Sequence, residues 1–267
     1  MSRNMDLKAI IFDVDGTLVE TERQGHRVAF NRAFERTRLP DRWDEDLYGE
    51  LLSVAGGRER LLHYFGERCQ NPPGDPEALA AELHGLKVEE FAALARDGLD
   101  ARSGILRLLN ELRRERITTA VATTGTRGPV LDLLRGLGSE HVARFAAVLT
   151  AQEAPKKKPD PQVYNMALAR LGLSPCEALT VEDSRNGLLA AKSAGLSCLV
   201  TVSDYSADES FGEADLVVRS LGEPDTPAEV LSDPHGLTTR DNVVVDLRLL
   251  RSLHQSCVRA GDGMENR

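Results

Sequence analysis

The chain has 267 residues, 41% of them hydrophobic and 28% charged, with a formal net charge of -9. The acidic balance argues against a nucleic-acid binder, which carries a basic stripe, and the one dense basic run, Lys156-Lys157-Lys158, is cut short by Pro159. An anionic ligand would therefore need a local cationic site or a metal. The length suits one large domain or two unequal ones. Cys69, Cys176, Cys198 and Cys257 are scattered with no CxxC pair, which fits a reducing compartment. The first residues hold no secretory apolar stretch, and no run approaches the ~18–20 apolar residues of a membrane span. The expectation is a cytoplasmic monomer with neither membrane nor nucleic acid as partner.

Taken in chain order, residues 8–13 form a candidate strand. From about 20 to 99 only helical pattern follows, with loop residues at 71–76. That interval is too long for a single crossover and predicts an inserted helical domain. Ile105, Leu108, Leu109 and Leu112 then mark an amphipathic helix, followed by a strand over 117–123. Val130, Leu133, Leu134 and Leu137 precede a strand over 146–150, and Val163, Met166, Ala167 and Leu171 precede one over 178–181. Leu188, Leu189 and Ala191 lead to strands over 197–202 and 215–218. Continuous apolar strands alternating with amphipathic helices predict an α/β fold, a Rossmann-like parallel sheet covered on both faces. The core would comprise 1–19 and 100–220, with the helical insertion at 20–99. In the tail, 221–267, residues 221–227 read as loop, 247–254 as a final helix, and the last ten residues as frayed.

Polar residues gather at the strand ends. Asp13-Val14-Asp15-Gly16-Thr17 directly follows the first strand, where such a sheet places its ligand crevice. By itself a pair of aspartates at i and i+2 is either a shared site or an ordinary turn. Thr123-Thr124-Gly125 closes the second strand before a helix with Pro129 in its first turn. The Thr123 hydroxyl and the free backbone donors there form an anion site, or the segment is a plain helix cap. Lys158, held by Pro159, looks positioned, whereas Lys156 and Lys157 read as exposed. Glu182-Asp183-Ser184 ends the fourth strand as a cation site or a helix N-terminal cluster.

Asp13, Asp15, Glu182 and Asp183 at one sheet edge would repel one another. Two such charges 4 Å apart cost about 4 kcal/mol at an effective dielectric of 20. A phosphate dianion would add to this, so the set needs a lysine and a divalent cation. Oxygen-only ligands suit Mg²⁺.

In that order, the DVDGT run, a strand-end threonine, Lys-Pro and Glu-Asp-Ser resemble the haloacid dehalogenase (HAD) superfamily. The resemblance implies that Asp13 is a nucleophile forming an aspartyl-phosphate, and that Asp15 protonates the leaving oxygen and then activates water. Thr123 and Lys158 would hold the phosphoryl group. Asp13, Asp183 and the backbone carbonyl of Asp15 would bind Mg²⁺, with Glu182 acting mostly through water. Asp15 occupies a position that phosphatases and phosphomutases share and dehalogenases lack, so dehalogenation is not expected.

The insertion resembles the small cap domain of one HAD subclass, which closes over small metabolites. Glu22, His26, Phe30 and Ala33 share a stripe at helical spacing. Phe30 and Ala33 would face the cap core, and Glu22 and His26 would meet substrate hydroxyls, although His26 could equally be a satisfied buried histidine. Gly56-Gly57-Arg58-Glu59-Arg60 supplies cations after glycines. These fit either a second phosphate bound by bidentate arginine or a helix N-terminus with exposed arginines. Glu22, His26, Gly57, Arg58, Arg60 and Thr124 are the candidate substrate contacts.

Glu20-Thr21-Glu22, His26, Ala29-Phe30-Asn31, Trp43-Asp44, Leu47-Tyr48-Gly49-Glu50-Leu51, the Gly56 to Arg60 run, Lys156 to Pro161 and Val181 to Ser184 look like the CbbY-type phosphatases. That family is associated with the Calvin cycle and removes a phosphate from xylulose 1,5-bisphosphate, an inhibitory by-product of Rubisco. The expected substrate is thus a small phosphorylated sugar. The rivals are a β-phosphoglucomutase-type enzyme, which shares the motifs, and a non-catalytic metabolite-binding protein on the same scaffold.

Overall fold

A computed structural model describes residues 6–54, 56–69, 74–239 and 241–265, the last eight of these by backbone alone. The chain divides into two compact units, one of residues 1–19 and 100–267 and one of Glu20–Leu99.

The larger unit is built on an eight-stranded sheet. Its strands are β1 (Ala9–Phe12), β2 (Thr118–Ala122), β3 (Phe145–Leu149), β4 (Ala178–Glu182), β5 (Ser197–Thr201), β6 (Leu216–Val218), β7 (Ala228–Ser232) and β8 (Asn242–Val243). They lie in the order β3-β2-β1-β4-β5-β6-β7-β8, with β3 through β6 parallel and β7 and β8 added antiparallel. From β1 the chain builds outward on one side through β2 and β3, then returns to build the other side from β4. The order therefore reverses between β1 and β4, and the ligand crevice of an open α/β sheet opens at such a point.

The parallel strands read as continuous apolar runs because both faces are covered. Ala9 and Ile11 share a buried cluster with residues of β2, β4 and β5 and with the helices over Gln162–Leu171 and Arg185–Ser193. Ile10 and Phe12 alternate to the opposite face and are fully buried too.

The helices of the smaller unit are α1 (Arg27–Arg36), α2 (Glu45–Leu51), α3 (Gly57–Glu67) and α4 (Pro76–Asp97). Those of the larger unit are α5 (Ile105–Arg114), α6 (Arg127–Gly136), α7 (Ser139–Val142), α8 (Gln162–Leu171), α9 (Arg185–Ser193) and α10 (Leu247–Glu265). On α5 the expected stripe of Ile105, Leu108, Leu109 and Leu112 is buried. The Ser184 side chain caps α9 by accepting from Gly187 N at 3.2 Å.

The tail differs from its expected form. Loop does cover 221–227, but β7 and β8 follow it, and α10 runs to Glu265 rather than ending near His254. The tail is tied to the rest of its unit, with the Val245 carbonyl accepting from Arg107 at 2.9 Å and Nε2 of His254 lying 2.9 Å from the Cys176 carbonyl.

In the helical unit the described residues contain no strand, as the periodicity predicts. Its core is aromatic, with the Trp43 ring centroid 4.6 Å from Phe30, 5.2 Å from Phe34 and 5.3 Å from Tyr64. Asn31 pins Trp43 in place, donating to its carbonyl and accepting from its N–H, both at 2.8 Å. Asp75 caps α4 and Pro76 opens it. Residues 71–73 of the expected loop lie outside the described residues.

Candidate active site

Strand register brings the polar residues together. Phe12 pairs with Val121 on one side and Val181 on the other, so Asp13, one residue on, stands level with Ala122 and Glu182. Its N–H donates to the Val181 carbonyl at 3.1 Å. Lys158 enters from the loop before α8 and fills the space between these strand ends. Its ammonium lies 2.6 Å from Asp13 Oδ1 and 2.6 Å from Glu182 Oε1, and donates to the Ala122 carbonyl at 3.0 Å. All three donors of the ammonium are thereby directed.

Glu182 is fully buried, and Oε1 also accepts from the Tyr164 hydroxyl. The Asp183 N–H reaches its other oxygen at 3.3 Å. Glu182 therefore has a task beyond the water-mediated metal contact expected of it, because it orients Lys158. The sequence reading also missed Tyr164, which lies on α8 six positions after the lysine. Its ring sits 5.0 Å from the Lys158 ammonium.

The electrostatics follow from burial. Desolvation first, then the charges of Glu182 and Asp15, push the Asp13 carboxyl up to about 8 even though Lys158 pulls it down. Desolvation, with Asp13 and Glu182 adding to it, likewise raises Asp183 well above the ordinary carboxylate range, against Arg102 and Lys158. Burial works against the Lys158 ammonium, but Asp13 and Glu182 outweigh it and hold its pKa well above the usual lysine value.

Three carboxylates, on Asp13, Glu182 and Asp183, offer oxygens within 4.8 Å of one another. One lysine cannot neutralise all of them when they are ionised. A hard divalent cation suits this oxygen-only set. The backbone makes room for it at Gly16, which has φ +75°, and where a Cβ would run into the Asp183 carboxylate. At Gly187 a Cβ would strike Glu182 in the same way.

Thr123 is buried, and its oxygen accepts from Gly125 N at 3.0 Å, which leaves the hydroxyl proton to donate elsewhere. A Cβ on Gly125 would come within 3.3 Å of both Asp15 Oδ2 and Thr123 Oγ1, so the second aspartate and the threonine face the same backbone. Thr124, the next residue, is half-buried. The helix that follows has no side-chain cap from Thr126.

A further residue escaped the sequence reading. Arg102, just after the helical insertion, donates to the carbonyls of Gly16, Thr201, Val202 and Arg219, the last three at 2.7, 2.9 and 3.0 Å. It thereby ties the loop after β1 to the end of β5. An arginine that reads as a linker charge gives no local sign of this, since its partners lie 86 to 117 residues away.

The candidate contacts of the helical unit have partners inside that unit. Glu22 to His26 form a π-helical turn, whose extra residue breaks the regular i, i+4 stripe expected there. Phe30 and Ala33 are buried as expected. The Tyr48 hydroxyl donates to Glu22 at 2.6 Å. His26 stacks on Phe91 with centroids 3.9 Å apart, and its Nδ1 lies 3.0 Å from the Lys87 ammonium. Burial, then Lys87 and Arg60, hold the imidazole well below its ordinary pKa.

The two arginines differ. Arg60 is drawn inward, donating to the carbonyls of Leu51 and Val54 at 3.0 and 3.3 Å and to the Tyr48 hydroxyl at 3.2 Å. Arg58 is exposed and paired with Glu77. Gly57 opens α3, and a Cβ there would lie 2.8 Å from His84.

Comparison with known proteins shows the family of the chain. The family profile of haloacid dehalogenase-like hydrolases matches residues 7–195. The plasmid-encoded CbbY protein of Cupriavidus necator is 40% identical over 254 residues, covering 93% of this chain, hence part of the tail, and 97% of that protein. A crystal structure of a mutant CbbY from Rhodobacter sphaeroides in complex with xylulose 1,5-bisphosphate superposes with a TM-score of 0.67 at 39% identity. It covers 80% of this chain and 94% of that one. A putative β-phosphoglucomutase from Thermotoga maritima gives a TM-score of 0.59 at 29% identity, over 74% of this chain and 86% of the other.

Proposed function

Because this chain belongs to the haloacid dehalogenase-like hydrolases, on their CbbY-like branch, and is a phosphatase of that family, we propose that it converts xylulose 1,5-bisphosphate to xylulose 5-phosphate. The observation that carries the chemistry is Lys158, held between Asp13 and Glu182 at a strand crossover where a third carboxylate, Asp183, converges.

In this reading the free oxygen of Asp13 attacks phosphorus and forms an aspartyl-phosphate while the bond to the sugar oxygen breaks. Asp15 gives its proton to that oxygen, then takes one from the water that attacks the aspartyl-phosphate, so inorganic phosphate leaves and Asp13 is restored. The Thr123 hydroxyl and Lys158 ammonium hold the phosphoryl oxygens as charge develops on them. Glu182 and Tyr164 keep the ammonium aimed.

Asp13, Asp183 and the Asp15 carbonyl would hold Mg²⁺, with Glu182 behind them. When bound, the ion supplies positive charge to the carboxylates and to the phosphate. In the helical unit, Glu22 and His26 are assigned to sugar hydroxyls, and Arg58 is the exposed cation assigned to a second phosphate. Gly57 and Thr124 would offer backbone N–H groups. Arg60, committed to two carbonyls, supports α2 and α3 rather than reaching for substrate. The four cysteines, none in a disulfide, fit a cytoplasmic setting, and among the described residues no helix is long and apolar enough to cross a membrane.

Measuring phosphate release from a panel of sugar mono- and bisphosphates with Mg²⁺ tests the proposal. Xylulose 1,5-bisphosphate is expected to be hydrolysed fastest. The similarity to a putative mutase calls for β-glucose 1-phosphate with a bisphosphate primer on the same panel. Glucose 6-phosphate formed without net phosphate release would overturn the phosphatase reading.

A further inference from the structure

Away from the strand crossover, a second cluster of metal-ligating side chains joins the tail to the sheet. Asp215 stands immediately before β6, His235 in the turn after β7, and Cys257 on α10. One ligand atom from each lies within 4.8 Å of the others. The thiol Sγ is 3.6 Å from His235 Nε2, and that same nitrogen is 3.6 Å from Asp215 Oδ1.

This geometry separates two chemistries. A cysteine–histidine–aspartate relay uses both ring nitrogens, one toward the thiol and the other toward the carboxylate. Here a single nitrogen faces both partners, so sulfur, nitrogen and oxygen converge on one point. Zn–S and Zn–N bonds of about 2.3 and 2.0–2.1 Å at tetrahedral angles place sulfur and nitrogen roughly 3.6 Å apart, which is the spacing between Cys257 and His235.

Asp215 is anchored for that task. Its Oδ2 accepts from Cys198 N at 2.7 Å and from the Lys192 ammonium at 2.8 Å, which leaves Oδ1 turned to the histidine. Outer partners of this kind orient metal ligands. The ligand set mixes a thiol, an imidazole and one carboxylate, a softer set than the all-oxygen crevice at Asp13.

We infer that Asp215, His235 and Cys257 bind a borderline-soft divalent ion of the Zn²⁺ class with three protein ligands and a fourth position for water, fastening α10 and the β7 turn to β6. On binding, the Cys257 S–H bond breaks, its proton passes to solvent, and the sulfur forms a bond to the metal. The ion would act on the tail, and its binding is independent of turnover at Asp13.

Co²⁺ added to the metal-free full-length protein tests this, because a thiolate ligand gives a charge-transfer band that an oxygen-only site cannot. The band is expected in the unaltered protein and in Asp183→Asn and Cys176→Ser. In Cys257→Ser it should vanish, and in His235→Gln the Co²⁺ affinity should fall by more than about 100-fold, beyond what loss of an outer partner costs. On the unaltered protein, Zn²⁺ should also slow alkylation of Cys257 while leaving Cys69 and Cys176 unprotected. Co²⁺ binding without a thiolate band, a band that survives Cys257→Ser, or alkylation of Cys257 indifferent to Zn²⁺ would overturn the assignment.

Discussion

The Lys158 ammonium meets Asp13 Oδ1 at 2.6 Å across 145 residues of chain, in a place where both side chains are almost fully buried. Such a pair contributes little net stability, since desolvating two ions costs several kcal/mol each. It persists because each partner would be worse off alone. Replacing the lysine leaves Asp13 and Glu182 facing one another with no cation between them.

Lys158→Met is therefore expected to cost about 3–5 kcal/mol in urea unfolding of the metal-free protein and to abolish phosphate release. Adding Glu182→Gln should recover part of that stability and none of the activity. A Lys158→Met protein that unfolds at the original midpoint would mean that the pair is not buried as described.

Gly16→Ala carries two penalties, a left-handed backbone, worth about 1–2 kcal/mol, and an overlap with the Asp183 carboxylate. Gly172→Ala is the control, because its φ is +68° and no atom lies within 4 Å of its added Cβ. Calorimetric titration of Mg²⁺ should show weakened binding in Gly16→Ala and unchanged binding in Gly172→Ala. Equal binding in both would detach Gly16 from the metal site.

The pH dependence follows from Asp13. Its carboxyl rises from the ordinary 3.8 to about 8 in the folded, metal-free protein, so between those values the folded state holds a proton that the unfolded chain has lost. The folded state then binds more protons, and this group's contribution to stability declines as pH rises through that window. A divalent cation competes with the same proton. The rise in Tm on adding Mg²⁺ should therefore grow from pH 5 to pH 8 and be smaller in Asp13→Asn. A Mg²⁺ effect independent of pH would contradict the raised carboxyl.

Arg102 offers a test of positioning. Its guanidinium serves four carbonyls in three segments, a fork that a lysine ammonium cannot reproduce. Arg102→Lys is expected to lower kcat by up to about 100-fold, the scale of a small misplacement of reacting groups, with KM little changed. A change in KM alone would assign Arg102 to substrate binding instead.

How much of this was legible in the sequence depends on the range of the interaction. Asp13, Thr123 and Asp183 stand directly beside strand ends, so the alternation of apolar runs and helical patterns was enough to bring them to one edge, while Lys158, in the loop before α8, was marked by the proline that follows it. Tyr164 was within reach, lying beside Val163 in the buried stripe of α8, but a phenol among apolar residues reads as core until Glu182 is seen behind it. Arg102 had no local signal at all. The tail strands were missed because β7 is largely exposed, with only Ala228 fully buried, and β8 is two residues long, so neither shows the alternation that marks a half-buried strand. In the helical unit, the π-helical turn displaced the stripe on which Glu22 and His26 were placed.

The central claim is that phosphate passes through Asp13, and acid quenching of a single turnover tests it most directly. With xylulose 1,5-bisphosphate and Mg²⁺, peptide mapping should find phosphate on the peptide containing Asp13, decaying at the rate at which inorganic phosphate appears, and none in Asp13→Asn. Phosphate released with no label on that peptide, together with undiminished turnover by Asp13→Asn, would contradict it.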